Sequence, residues 1–212
     1  MLDKKRRILV LAPHTDDGEL GCGATIAKLV KEGADVYYVA FSIAEDSVPD
    51  GLPKDILAIE VRNATEKLGI PSENLIIKRY PVRRFDEHRQ DILEELVQLN
   101  RNLSPDLVFI PNLKDLHQDH FTIANEALRA FKRTSILSYE LPWNNLTFTT
   151  NCFQIVDYED LLVKIEALKC YQSQNHRNYL TSDFILGLAT TRGVQIGAKY
   201  AELFEVVRWI MK

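Results

Sequence analysis

The sequence predicts an α/β fold, a mostly parallel sheet with helices on both faces. Three observations carry this. Short apolar runs, such as residues 8–12 (ILVLA) and 107–110 (LVFI), are bounded by turn residues, as buried strands are. Stretches with helical apolar spacing alternate with them, for instance Ile92, Leu93, Leu96 and Leu99. Gly33, Gly69 and the Ser104-Pro105 pair punctuate the alternation.

Taken in order, residues 8–12 form the first strand and 20–31 a helix with Ile26, Leu29 and Val30 on one face, ended by Gly33. Residues 36–41 (VYYVAF) are β-branched and aromatic, a strand. Pro49, Gly51 and Pro53 make 42–54 a loop, and 55–68 is the next helix. Residues 74–77 are a short strand, 86–103 a helix, 107–110 a buried strand and 111–116 a loop. Residues 119–131 are helical and 135–139 extended. The last third is less regular: a loop over 141–150, a helix over 160–171, weak signals over 182–199 with a helix to Gly193, and a closing strand over 204–209. The expected architecture is a Rossmann-like three-layer sandwich around a mostly parallel sheet. At 212 residues with no linker, a single domain over 1–212 is expected.

Composition narrows the function. A net charge of -4 offers no footprint for nucleic acid. No apolar run reaches the ~18 residues of a transmembrane helix. The basic start, Met1 to Arg7, leads into a run too short for a signal peptide. Cys22, Cys152 and Cys170 are odd in number and far apart, which fits reduced thiols in a cytoplasmic protein.

The chemistry concentrates in two places. The first strand ends at Pro13 and delivers His14, Thr15, Asp16 and Asp17. The strand at 107–110 delivers, after a short loop, His117, Gln118, Asp119 and His120. Ligands of open α/β sheets sit outside the carboxyl ends of the strands, so parallel neighbouring strands would bring both clusters to one edge. Either cluster alone is weak: Asp-Gly after a strand is an ordinary turn, and Asp119 is a plausible helix cap. Together they suit a divalent cation held by His14, Asp17 and His120, with an open position. Asp16 then has a place as proton acceptor for a metal-bound water, a protonated His117 as stabiliser of charge on a substrate oxygen, and Asp119 as the group that orients His117 and raises its pKa. Two imidazoles and a carboxylate also describe non-haem iron sites, so the ligand set leaves zinc and iron(II) open.

These residues resemble a known family. APHTDDGELGCGATIAKL with a later HQDH is similar to the zinc-dependent de-N-acetylases of the PIG-L/LmbE type, which remove the acetyl group from N-acetylglucosamine-containing substrates. Thr15 takes the middle place of the usual His-Pro-Asp-Asp, and His117, Asp119 and His120 meet the second signature. Glu60 before Lys67-Leu68-Gly69-Ile70, residues 164–168 through Ser173-Gln174, and Arg192-Gly193 through Tyr200-Ala201-Glu202 extend the likeness. One departure is Leu57, where many members carry Arg; Arg62, Arg83 and Arg84 are candidates to replace it. The resemblance implies His14, Asp17 and His120 as zinc ligands, Asp16 as general base, and His117 facing the oxyanion with Asp119 behind it. It also implies a small N-acetyl amino-sugar conjugate as substrate. The oligomeric state stays open, a homo-oligomer included.

Two rival readings remain. A nucleotide- or methyl-donor-binding protein is suggested by Gly18, Gly21 and Gly23, but G-x-x-G-x-G is not the dinucleotide spacing and leaves the histidines idle. A catalytically silent domain would not need Asp16. Elsewhere, His88 reads as solvated, His176 as part of a surface loop, Trp143 as a core cap or sugar platform, and Cys22 as helix-start packing.

Overall fold

A computed structural model describes residues 6–211. The basic N-terminal stretch 1–5 lies outside the described residues. Strands β1 (Arg7–Ala12), β2 (Asp35–Ala40), β3 (Leu75–Ile77), β4 (Leu107–Ile110), β5 (Ser135–Tyr139), β6 (Cys152–Ile155) and β7 (Ala201–Arg208) form one sheet. The strand order is β3-β2-β1-β4-β5-β7-β6. The first five strands are parallel, and β7 runs antiparallel to both β5 and β6. Helices α1 (Asp17–Lys31), α2 (Ile56–Lys67), α3 (Arg89–Leu103), α4 (Gln118–Ala130), α5 (Tyr158–Leu168) and α6 (Ser182–Val194) cover the two faces. None among the described residues is long and apolar enough to cross a membrane.

Alternation along β1 generates the layers, because successive side chains point to opposite faces. Ile8, Val10 and Ala12 join one core with residues of α1, α2, α5 and α6. Leu9 and Leu11 join the other, with residues of α3 and α4. The β1–β4 pairing, Ile8 with Leu107 and Val10 with Phe109, makes the two cluster-bearing strands neighbours that end at the same edge.

Besides shifts of two or three residues at the ends of α3 and α5, three elements differ from expectation. Helix α1 starts at Asp17 rather than at residue 20, because Gly18 and Gly21 let rings pack onto its first turn. A Cβ on Gly21 would sit 2.3 Å from the Tyr139 ring, and one on Gly18 2.5 Å from Tyr38. Strand β7 begins at Ala201, three residues early. Strand β6 was not expected: it is an edge strand of four residues, mostly half-buried, and lacks a continuous apolar run.

Helix α1 is broken at Cys22 (φ −146°, ψ 23°). The break frees main-chain groups inside the protein, and a buried ion pair satisfies them. Lys164 Nζ donates to Leu20 O (2.7 Å) and to Glu202 Oε1 (2.6 Å). Glu202 also accepts from the amides of Ala24 (3.2 Å) and Thr25 (2.7 Å). Lys164 and Glu202 are only 4% and 6% exposed, so removing one partner strands the other charge in the core. Lys164→Met is therefore expected to destabilise the fold by about 3–5 kcal/mol, read as a lower urea midpoint with unchanged m-value.

Candidate active site

β1 ends in a loop that is pinned from below. The carbonyl of Thr15 accepts from the hydroxyls of Tyr38 (2.9 Å) and Tyr171 (2.6 Å). Both hydroxyls also meet the buried carboxyl of Glu19, Tyr171 at 2.8 Å. Burial pushes Glu19 up to about 8, against the hydrogen bonds of the two tyrosines. The pinning turns His14, Asp16 and Asp17 toward a cleft of about 390 Å³ at the carboxyl edge of the sheet, and the N-terminal turn of α4 brings His117 and His120 to the same cleft.

The central feature is a triangle. His14 Nδ1 lies 3.2 Å from Asp17 Oδ2, His120 Nε2 lies 3.2 Å from the same oxygen, and the two nitrogens are 3.2 Å apart. The outer nitrogens have acceptors: His14 Nε2 meets Asp119 Oδ2 at 3.0 Å, and His120 Nδ1 meets Asp115 Oδ2 at 2.9 Å. A neutral imidazole carries one proton, and the carboxylate fixes it on the outer nitrogen. Three lone pairs then face each other, an arrangement that calls for a cation. A tetrahedral zinc with bonds of about 2.0–2.1 Å needs its ligands about 3.3–3.4 Å apart, so the donor set fits.

The electrostatics agree. Burial opposes charge on His120, but Asp17 and Asp115 outweigh it and raise its pKa to about 10. His14 rises to about 8: burial again opposes, and hydrogen bonds to Asp119 and Asp17 prevail. Asp17 is buried too, yet the two histidines hold it well below the usual carboxylate range. A centre that favours protons on both imidazoles favours a divalent cation in their place.

Asp16 caps α1 by position without a side-chain cap bond, and its carboxylate lines the cleft. Burial, then repulsion from Asp17, raises it to about 6. His117 is the N-cap of α4, and its Nδ1 accepts from the amide of Asp119 at 3.2 Å. Contrary to the expected protonated imidazole, burial and the neighbouring histidines outweigh Asp119 and hold it down at about 4. It is thus neutral near pH 7, with its proton on Nε2. His14, His117 and His120 offer ligand atoms within 4.8 Å of one another, but Nδ1 of His117 is engaged and its Nε2 is a donor.

Asp119 differs from expectation. Its carboxylate is 4.0 Å from His117 Nδ1, and it serves His14 instead while accepting from the amides of Arg83 (2.6 Å) and Phe85 (3.3 Å). The tight first turn of α4 gives His117 the amide of Asp119 rather than its carboxylate. Asp115, which holds His120, sits in an irregular loop and gives no periodic signal in the sequence. Arg177, Tyr179 and Gln174 line the cleft from the last third of the chain. Glu60 secures that segment, accepting from Ser173 N (2.9 Å) and Ser173 Oγ (2.6 Å). Trp143 lines the cleft with its ring stacked on Tyr179, centroids 4.0 Å apart. Leu57 and Arg83 also line it, whereas Arg84 is held by Glu87 at 2.8 and 2.6 Å. His176 is exposed, and neither it nor His88 lines the cleft.

Comparison with known proteins gives a consistent family. The chain is 29% identical over 177 residues to the uncharacterized deacetylase YaiS of Escherichia coli K12, covering 81% of this chain and 93% of that one. Its fold matches the N,N'-diacetylchitobiose deacetylase of Pyrococcus horikoshii, with TM-score 0.79, 20% identity, and coverage of 95% and 84%. It matches equally the 4-carboxy-2-hydroxymuconate hydratase GalB of Pseudomonas putida KT2440, with TM-score 0.79, 19% identity and 98% of both chains. At these identities the two structures speak for the fold alone, and one fold serves more than one reaction. The family model for GlcNAc-PI de-N-acetylases matches residues 9–131, more than half of the chain and the whole span from His14 to His120. The chain belongs to the PIG-L family of de-N-acetylases.

Proposed function

We propose that the chain is a divalent-metal-dependent amide hydrolase that removes the acetyl group from an N-acetylglucosamine-type conjugate, releasing acetate and a free amine. The triangle of His14 Nδ1, Asp17 Oδ2 and His120 Nε2 beside the unpaired carboxylate of Asp16 carries this reading. These three residues hold the ion, zinc or iron(II), and residues 1–212 act as one domain. Such an ion, when bound, polarises the acetyl carbonyl and acidifies the attacking water.

The protein's own groups do the rest. Asp16 accepts the proton of the water as its oxygen adds to the acyl carbon. The Nε2–H of neutral His117 donates to the carbonyl oxygen as it gains charge. Asp16 then returns its proton to the amine nitrogen as the C–N bond breaks. Asp119 and Asp115 fix the rings of His14 and His120.

The reading is tested by incubating the zinc-loaded protein with a panel of N-acetylglucosamine conjugates. Acetate and free amine are expected in equal amounts, abolished by a chelator and restored by zinc. No free amine from any conjugate would count against it.

A further inference from the structure

Arg83 holds a backbone conformation that its side chain disfavours. Its φ is 67°, in the left-handed region. It is the third residue of a turn closed by the Arg84 amide donating to the carbonyl of Pro81 at 3.2 Å. Glycine or asparagine is the usual occupant of such a place, because a Cβ there crowds the following carbonyl. Strained backbone persists only where its surroundings over-determine it.

The surroundings here are Asp119. The amide of Arg83 donates to Asp119 Oδ2 at 2.6 Å, and the amide of Phe85 to Oδ1 at 3.3 Å. One left-handed residue thus aims two main-chain donors at both oxygens of a single carboxylate, as a nest does for an anion. That carboxylate is fully buried, and its Oδ2 is also the atom that meets His14 Nε2 at 3.0 Å. The turn holds Asp119, Asp119 holds the ring of His14, and the ring presents Nδ1 to the triangle. The guanidinium of Arg83 takes no part in this chain of contacts: it donates to Ser47 Oγ at 2.7 Å.

We propose that Arg83 is a positioning residue of the metal centre that acts through its main chain. Its left-handed turn sets Asp119, and through it the His14 ring, in place before the ion arrives. The inference rests on His14 being a metal ligand and not on the identity of the substrate. A turn free to relax has to be rebuilt when the ion binds, and that cost is read as weaker affinity. Metal affinity therefore follows how well residue 83 tolerates a positive φ, whatever its charge or length.

The test measures zinc dissociation constants by competition with a chromophoric chelator, for the wild type and four variants. Arg83→Gly and Arg83→Ala keep the amide and accept the turn at least as well as arginine, so their constants stay within about twofold of the wild type. Arg83→Val keeps the amide, but its branched Cβ resists a positive φ. Arg83→Pro lacks both the amide and the conformation. These two are expected to bind zinc about 10- to 100-fold more weakly, as loss of a contact behind a ligand does. In an Asp119→Ala background Arg83→Val has no further effect, because the path through the carboxylate is already cut. Urea midpoints of the metal-free proteins separate positioning from folding. A lower midpoint for Arg83→Val with unchanged zinc affinity makes the turn merely structural and overturns the proposal. Equal weakening by glycine, alanine and valine assigns the effect to the guanidinium and overturns it too. If Arg83→Pro does not fold, Arg83→Val carries the comparison. A wild type that binds no zinc removes the metal reading and this inference together, whereas tight wild-type binding with equal constants for all variants overturns the inference alone.

Discussion

Asp16→Asn is expected to slow acetyl removal by about 100- to 10,000-fold while leaving the bound metal in place. Asparagine has the shape of aspartate but cannot accept the proton of an attacking water. The change disturbs little else, because Asp16 makes no side-chain cap bond and its carbonyl still accepts from the amide of Leu20 at 3.0 Å. With a pKa of about 6, Asp16 is mostly ionised at pH 7 yet basic enough to hold a proton briefly. The loss belongs in kcat, with metal content measured on the same sample. Turnover at the wild-type rate would remove Asp16 from the mechanism.

The second large effect is on the metal itself. His14→Ala and His120→Ala each delete one corner of the triangle, and the purified protein is expected to carry metal on only a small fraction of chains. Asp115→Asn and Asp119→Asn keep the corners but loosen the rings behind them, so metal affinity falls by about 10- to 100-fold. If His117 acts as the proposed donor and not as a ligand, His117→Ala keeps its metal and loses activity. The contrast with Asp17→Asn is decisive. Metal lost from His117→Ala and retained by Asp17→Asn would replace the proposed ligands with the three-histidine set. Elemental analysis of all six variants reads this directly.

Much of this was legible in the sequence, for physical reasons. The apolar runs 8–12 and 107–110 are buried on both faces, so composition alone marks them as central strands. Once they are central and parallel, the polar residues that follow them have one edge to go to. Legibility ends where function depends on tertiary direction. Sequence distance pairs Asp119 with His117, but the path of α4 turns its carboxylate toward His14, 105 residues away. Asp115 and Arg177 lie in irregular segments whose side chains have no period to betray them. β6 escaped because an edge strand of four mostly half-buried residues needs no apolar run. Helix α1 began early because its glycines act as contact surfaces for Tyr38 and Tyr139, whereas glycine in a sequence reads as a turn.

All seven residues at the proposed centre precede residue 121, yet main-chain groups that shape the first loop and helix find partners far downstream. Thr15 O, already met by Tyr38, takes its second partner from Tyr171, Leu20 O finds Lys164, and the amides of Ala24 and Thr25 find Glu202, separations of 156, 144 and up to 178 residues. Closing loops of that length is slow and entropically costly. During synthesis the emerging polypeptide therefore holds every ligand well before it holds a geometry able to grip an ion, and metal capture belongs among the last events of maturation.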